Sequence, residues 1–157
     1  MNRILSVLCL TFVAGGASCT NATDSQATLV GDWVRQESLS PRGYLTTQLT
    51  FRTDGTFTNA GRMFGCYPGQ AANDLCAYTI VSGTFTTNGD RLAANVSRVV
   101  TWDRFYGASS PETVQNVNRT VFDEGRFQIA GRTLTLHFLT YPADAPEPTT
   151  RIFVRAE

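Results

Sequence analysis

The side chains that could carry out catalysis are few in this chain of 157 residues, and they lie far apart in the sequence. His137 is the only histidine. A Ser-His-Asp hydrolase would use it as the general base, but no G-x-S-x-G nucleophile motif accompanies it. Asp123 and Glu124 are adjacent carboxylates, which a strand would direct to opposite faces, so they are more typical of a hairpin or bulge than of an acid–base pair. The sequence predicts no catalytic residue and no enzyme.

The first 18 residues have the layout of a secretory signal peptide. Arg3 is followed by the apolar run Ile4–Ala14, which is too short to span a bilayer of roughly 30 Å, and then by small residues. Gly16-Ala17-Ser18-Cys19 resembles a bacterial lipobox, which implies that Cys19 is acylated and becomes the first residue of the mature chain. Because Gly16 replaces the usual leucine, ordinary signal cleavage stays the alternative. The polar residues 19–28 are predicted to form a flexible tether.

Of the four cysteines, Cys66 and Cys76 remain as candidates for a disulfide, since Cys9 lies in the signal peptide and Cys19 would be acylated. In an exported protein the pair would form a disulfide, because that compartment is oxidising. The alternative is two unrelated buried thiols. A zinc site would need further Cys or His ligands. The glycines follow turns instead of starting a helix, so they do not form a phosphate-binding loop. We therefore predict neither a metal nor a cofactor.

Composition limits the class of protein. The chain has 13 basic and 13 acidic side chains, which argues against a nucleic-acid partner or a polybasic membrane surface. Thr is abundant, the aromatic residues are spread along the chain, and Gly and Pro interrupt it at short intervals, all of which favour β-structure. One domain from residue 29 to 157 is long enough to bury a core.

Alternating apolar and polar residues between turn signals predict an all-β fold of roughly eight antiparallel strands, which would close into an up-and-down barrel. The predicted strands are Leu29–Glu37, Thr46–Arg52, Thr56–Asn59, Cys76–Thr87, Arg91–Trp102, Val117–Ile129, Arg132–Tyr141 and Thr149–Arg155. Gly83 is predicted to mark a bulge.

The connections between these strands alternate between tight turns and long loops. The tight turns fall at Asp54-Gly55, Asn88-Gly89-Asp90 and Ala130-Gly131. In an up-and-down barrel, alternate connections share an end, so all the long loops should gather at one mouth and the tether should enter at the other end. This arrangement requires Asp123-Glu124-Gly125 to be a bulge and not a turn.

Short motifs resemble the lipocalin-like (calycin) domains of bacterial envelope proteins. They are Gly31-Asp32-Trp33, the hairpin from Leu49 to Phe57, and the later Gly-polar-x-Leu turns. The resemblance covers roughly Thr28 to Arg155. It implies that Trp33 packs across the closed end of the barrel beneath an arginine of the last strand, either Arg151 or Arg155. No T-D-Y-like segment and no helix after the barrel are found, which argues against a deep hydrophobic calyx.

One aromatic run near the expected mouth is a candidate binding site. It contains Trp102, Arg104, Phe105 and Tyr106, which suit an amphipathic ligand or the surface of a partner. The alternative is an aromatic plug over the core.

Two functions remain open at this point. The first is a lipid-anchored, lipocalin-like module that binds a small apolar or amphipathic ligand at the barrel mouth. The second is a solid barrel whose disulfide-pinned loop binds another envelope protein, as an inhibitor or assembly factor would. Thr20 follows Cys19 in place of the Asp that marks inner-membrane retention in the familiar sorting pattern, so by that resemblance the protein is expected at the outer membrane, facing the periplasm.

Overall fold

The computed structural model describes residues 28–39, 43–105 and 108–157. The predicted signal peptide, Cys19 and all but the last residue of the predicted tether lie outside the described residues. No helix in the described part is long and apolar enough to cross a membrane. The described strands are β1 (Gly31–Leu39), β2 (Gly43–Phe51), β3 (Thr56–Phe64), β4 (Leu75–Asn88), β5 (Arg91–Phe105), β6 (Ala108–Ser109), β7 (Thr113–Val121), β8 (Asp123–Ala130), β9 (Thr133–Thr140) and β10 (Glu147–Arg155).

Eight of these strands form a closed antiparallel barrel in the order β1-β2-β3-β4-β5-β8-β9-β10, which returns to β1. β7 pairs with β5 beside this cycle, and the two-residue β6 pairs with the end of β5. A turn of 3₁₀-helix, Pro142–Asp144, lies between β9 and β10. The predicted all-β, eight-stranded antiparallel barrel is therefore confirmed, with β7 as an additional strand.

The pairings that close the barrel are short. β10 meets β1 through two residue pairs, one of which is Trp33–Arg155, and β8 meets β5 through the single pair Arg91–Arg126. Beyond these pairs, the described residues show no pairing of β1 with β10 or of β7 with β9. The barrel is thus sealed at one end, here called the closed end. At the other, the open end, it divides into a six-stranded sheet (β1-β2-β3-β4-β5-β7) and a three-stranded sheet (β8-β9-β10).

The tight turns lie at the closed end and the longer connections at the open end, as the alternation of links predicts, except that the predicted long loop between β1 and β2 is short, since Leu39 already pairs with Gly43. Gly55, Gly89 and Gly131 provide the positive φ angles of the three tight turns, at 79°, 60° and 59°. The segment around Glu124 is a bulge and not a hairpin, since β7 and β8 run on in one direction and the register with β9 shifts there. The long loops consequently share one end of the barrel.

The core occupies the closed end. Inward-facing residues from every strand of the barrel contribute to one cluster, because alternate strand residues face the interior. Five large members of this cluster are between 0% and 3% exposed: Phe51, Phe57, Leu92, Leu134 and Leu136. These side chains occupy the space that a deep calyx would need.

Several predicted strand boundaries differ from the structure, and two of the predicted strands differ most. β3 continues to Phe64 instead of ending near Asn59, because Gly61 lies in a ladder with β2 on one side and β4 on the other. The predicted strand Val117–Ile129 is two strands, and its first part already begins at Thr113. The predicted bulge at Gly83 is confirmed by the register shift, and a Cβ atom there would overlap the carbonyl oxygen of Asn95.

Candidate functional site

A bulge in β5 decides which face of the sheet carries Trp102. The register between β4 and β5 shifts at Gly83, which leaves Ser97 as an extra residue in β5. Before the bulge, alternate residues from Leu92 to Val96 are buried in the core, and beyond it Val99 belongs to the core. Trp102 therefore lies on the outer face of the barrel, whereas unbroken alternation would have placed it inside with Leu92. This position removes the alternative of a plug over the core.

Trp102 belongs to a group of half-buried aromatic and arginine side chains on the outer face of β2–β5, near the open end. Its ring stacks on that of Tyr78, with centroids 5.5 Å apart and an interplanar angle of 22°. A second stacked pair, Tyr44 and Phe64, lies on the neighbouring strands with centroids 4.8 Å apart. We call this group the aromatic patch; it comprises Tyr44, Arg62, Phe64, Tyr78, Trp102 and Arg104.

The two arginines give the aromatic patch a positive charge. Arg62 is the Cα partner of Tyr78, and the guanidinium carbon of Arg104 lies 6.0 Å from the centroid of the Trp102 ring. Neither arginine forms an ion pair with a described carboxylate. Glu112 accepts a hydrogen bond from the Tyr78 hydroxyl, which raises the pKa of Tyr78. The aromatic patch thus presents two cations beside flat apolar rings, with the Glu112 carboxylate bound to the Tyr78 hydroxyl.

The predicted disulfide between Cys66 and Cys76 is present, with its Cα atoms 6.1 Å apart. The disulfide loop, residues 65–74, connects β3 and β4 at the open end, directly beyond Phe64 of the aromatic patch. Its backbone is held by internal hydrogen bonds, including Gly65 N–H to the carbonyl of Asp74 at 2.9 Å. Much of the loop is exposed. It is thus a rigid surface feature, held by the bridge and by its own turns.

The closed end is sealed as the family resemblance implies. The guanidinium carbon of Arg155 lies 4.4 Å from the centroid of the Trp33 ring, and Trp33 donates its indole N–H to the carbonyl of Leu29 at 2.9 Å. Arg155 also donates to the carbonyl of Thr28 at 3.0 Å. A Cβ atom on Gly31 would lie 3.1 Å from the Arg155 guanidinium, so glycine fits the close approach. Trp33 and Arg155 form a structural clamp.

Arg151, the other predicted partner of Trp33, lies elsewhere. Its guanidinium carbon is 5.7 Å from the centroid of the Phe138 ring.

The residues that face inward at the open end are partly accessible: Met63 is 39% exposed and Thr79 is also exposed, although both face the interior by register. Arg35 and Glu37, inward-facing on β1, form an ion pair at 2.8 Å. The open end consequently combines an ion pair with partly accessible polar and apolar side chains.

An external groove of about 640 Å³ lies beside the bulge that joins β7 and β8. Its lining includes Arg91, Asp123, Glu124 and Arg126, and Arg126 is ion-paired with Asp90 at 2.9 Å. The carboxylate of Asp123 accepts a hydrogen bond from Tyr141, which raises the pKa of that tyrosine. The acidic pair of the sequence thus forms part of the wall of a shallow groove of mixed charge.

The remaining chemical candidates have structural partners. His137 is exposed on the outer face and lies 2.9 Å from the hydroxyl of Thr150. The described residues contain no group of three or more His, Cys, Asp or Glu side chains that could hold a metal ion. Tyr106 and the side chain of Phe105 lie outside what the structure describes. Trp102 and Arg104 are the members of the predicted run whose side chains the structure describes.

The chain matches no protein-family model, no curated protein sequence and no solved structure. The barrel is compatible with a calycin-like fold. Membership of the lipocalin-like family, like the lipoprotein identity, stays a prediction from short motifs.

Sequence reasoning finds Trp102 and Arg104 but misses the rest of the aromatic patch. Tyr44 lies before the predicted start of its strand, and Phe64 lies beyond the predicted end of its strand. Tyr78 is inside a predicted strand, and only its register with β5 shows that it pairs with Trp102. Their positions relative to the two cysteines indicate only that Phe64 and Tyr78 flank the disulfide loop.

Proposed function

We propose that this protein is a non-catalytic interaction module of the bacterial cell envelope that binds an acidic surface of a partner protein through the aromatic patch and the disulfide loop. The aromatic patch carries the proposal. Trp, Tyr and Arg are the residues that most often dominate binding energy in protein interfaces. Here they lie outside a filled core, on a face that no described strand covers.

The position of the disulfide loop supports the same proposal. A loop that is already ordered loses little conformational entropy when it binds, which improves affinity. The loop also adjoins the aromatic patch, so one partner can contact both. Arg62 and Arg104, which have no described carboxylate partner, favour an acidic partner surface.

We further propose that the module is attached to the outer membrane through acylated Cys19 and faces the periplasm. The signal-like first 18 residues and the small residues before Cys19 support this. So does the entry of the chain at the closed end, where Thr28 accepts a hydrogen bond from Arg155. The loops and the aromatic patch would then extend away from the lipid. Mass spectrometry of the mature N-terminus tests the anchor: a chain that starts elsewhere than at an acylated Cys19 would refute it.

Site-specific photocrosslinking tests the interaction. A photoreactive residue at Arg104 should capture one defined partner in the envelope, and the same residue at Gln128, exposed on β8, serves as the matched control. With that partner purified, Trp102→Ala should weaken binding at least tenfold, about 1.4 kcal/mol or more. Ile152→Ala, an exposed apolar truncation on β10, should leave affinity unchanged. Equal crosslinking at both positions, or equal affinity of both alanine variants, would contradict the proposal.

Removal of the bridge addresses the loop separately. The double variant Cys66→Ser/Cys76→Ser should lose about 2–3 kcal/mol of stability, the loop-entropy value for a bridge with a sequence separation of 10. It should also bind the purified partner more weakly while its far-ultraviolet circular dichroism stays that of a β-barrel. If the serine variant folds and binds as tightly as the parent, the loop has no part in recognition.

A second candidate function, binding of a small amphipathic molecule at the open end, is favoured by one observation. Arg151 stands over Phe138, which would offer an anionic head group a cation beside an apolar ring. The filled closed end restricts such a ligand to a shallow position. A fluorescent fatty-acid probe should then bind the parent but bind Arg151→Ala several-fold more weakly; absence of binding to the parent would exclude this candidate.

A further inference from the structure

β7 has one free edge. Among the described residues its nine members pair with β5 alone, and seven of the nine are exposed. The backbone N–H and C=O groups on its other side therefore lack strand partners, and such an edge is a template for another strand.

The edge carries few of the features that protect natural sheet edges. Short strands, lysines, prolines and inward-pointing charges normally prevent pairing between molecules. β7 contains no proline, and its one charged residue, Arg119, lies on the inward-facing side of the strand as the Cα partner of buried Val96. In contrast β10, which is also partly unpaired, carries Glu147, Pro148 and Arg151. This difference marks β7 as an edge that is suited to pairing.

We propose that β7 pairs antiparallel with β7 of a second copy of this chain, about a two-fold axis at Val117. Full overlap of the two strands places Asn116 opposite Asn118 of the second copy, and Gln115 opposite Arg119 of the second copy. The two Arg119 side chains are thus kept apart. Asparagine side chains in facing positions can donate and accept hydrogen bonds across the pair.

The second copy is favoured over an unrelated strand because β7 is self-complementary. Its outward residues alternate regularly: Val114 is the Cα partner of outward-facing Val100, and Asn118 accepts a hydrogen bond from Asn95 at 3.1 Å. An antiparallel two-fold pairing with full overlap matches outward residues with outward residues. The chain carries 13 basic and 13 acidic side chains, so long-range repulsion between two copies is weak.

The pairing has a geometric consequence. The two-fold axis of an antiparallel edge-to-edge pair is perpendicular to the sheet, so both copies keep the same outer face. Two aromatic patches would then lie on one continuous surface. The dimer does not depend on the function proposed for that patch, although it would make the patch bivalent.

Charge substitutions at the facing asparagines test both the pairing and its register. The background is Cys19→Ser, which prevents acyl chains or a Cys19 disulfide from joining two copies. One variant is Asn116→Lys/Asn118→Lys and the other is Asn116→Glu/Asn118→Glu, so that each alone places like charges opposite each other. Oligomeric state is measured by sedimentation equilibrium, and the fold by circular dichroism.

The parent should be a dimer, and each variant alone should be a folded monomer. An equal mixture of the two variants should form the heterodimer, because each introduced lysine then faces an introduced glutamate of the other copy. The matched control is Gln128→Lys, an exposed site on β8 away from the free edge, which should remain a dimer. A parent that is monomeric up to about 1 mM, or a mixture that stays monomeric, would overturn the inference. Partner binding by a monomeric parent would leave the proposed function intact.

Discussion

Arg155→Ala should open the seal at the closed end of the barrel. Arg155 contributes two interactions: it lies over the Trp33 ring at 4.4 Å, and it donates to the carbonyl of Thr28 at 3.0 Å. A cation–π contact at a partly buried site contributes about 1 kcal/mol or somewhat more, and a hydrogen bond from a charged donor about 1.5 kcal/mol. We therefore expect a loss of about 2–3 kcal/mol in the free energy of unfolding.

Urea denaturation followed by tryptophan fluorescence and by circular dichroism measures this loss. For a domain of this size, the change corresponds to a fall of about 6–12 °C in melting temperature. Arg155→Lys keeps the charge but loses the planar stack, so about half of the loss is expected. The control is Arg151→Ala, whose contact with Phe138 is longer at 5.7 Å and should contribute about 0.5 kcal/mol. If Arg155→Ala costs no more than Arg151→Ala, the clamp does not stabilise the barrel.

Two further predictions concern the strands and a turn. Gly83→Ala should lower the free energy of unfolding by at least about 2 kcal/mol, because its Cβ would clash with β5. Gly61→Ala, whose Cβ would have no atom nearer than 3.8 Å, should change it by less than about 0.5 kcal/mol. Equal urea midpoints for the two variants would contradict this. Hydrogen bonds from Thr56 lower the pKa of Asp54, so its contribution to stability is present above the unfolded pKa and is lost as the pH falls through the lower folded value. The difference in melting temperature between the parent and Asp54→Asn should therefore shrink below about pH 4, and a difference that stays constant down to about pH 2 would refute the assignment.

The turns and the sealed end could be predicted from sequence because their chemistry is local. Asp54-Gly55 needs a positive φ angle, and glycine adopts it at little cost. Trp33 follows a glycine in a recognisable motif, and the structure reduces the choice between two arginines to Arg155. Each of these features depends on a few neighbouring residues, which a single sequence contains.

The candidate site could not be predicted as completely because it depends on register. The residue type of Ser97 does not distinguish it from its neighbours, so the local sequence does not show that it is the extra residue of a bulge. Its effect appears only where β4 approaches at Gly83, and it transfers Trp102 to the opposite face. β7 is hidden from sequence reasoning in the same way, since its first residues read as loop and its free edge depends on strands that are distant in sequence.

The clamp at Arg155 also has a mechanical consequence. The described chain begins at Thr28 and leads into β1, which pairs with β2 over nine consecutive residue pairs, from Gly31–Phe51 to Leu39–Gly43. The hydrogen bonds of an antiparallel pair are perpendicular to the strands. A force applied at Thr28 along β1 therefore loads all of these bonds together in shear and does not break them one by one. If the chain is tethered at its N-terminus while a partner holds the open end of the barrel, tension acts along the strands, the direction in which the sheet resists force best. The hydrogen bond from Arg155 to Thr28 would be the first contact to bear that tension.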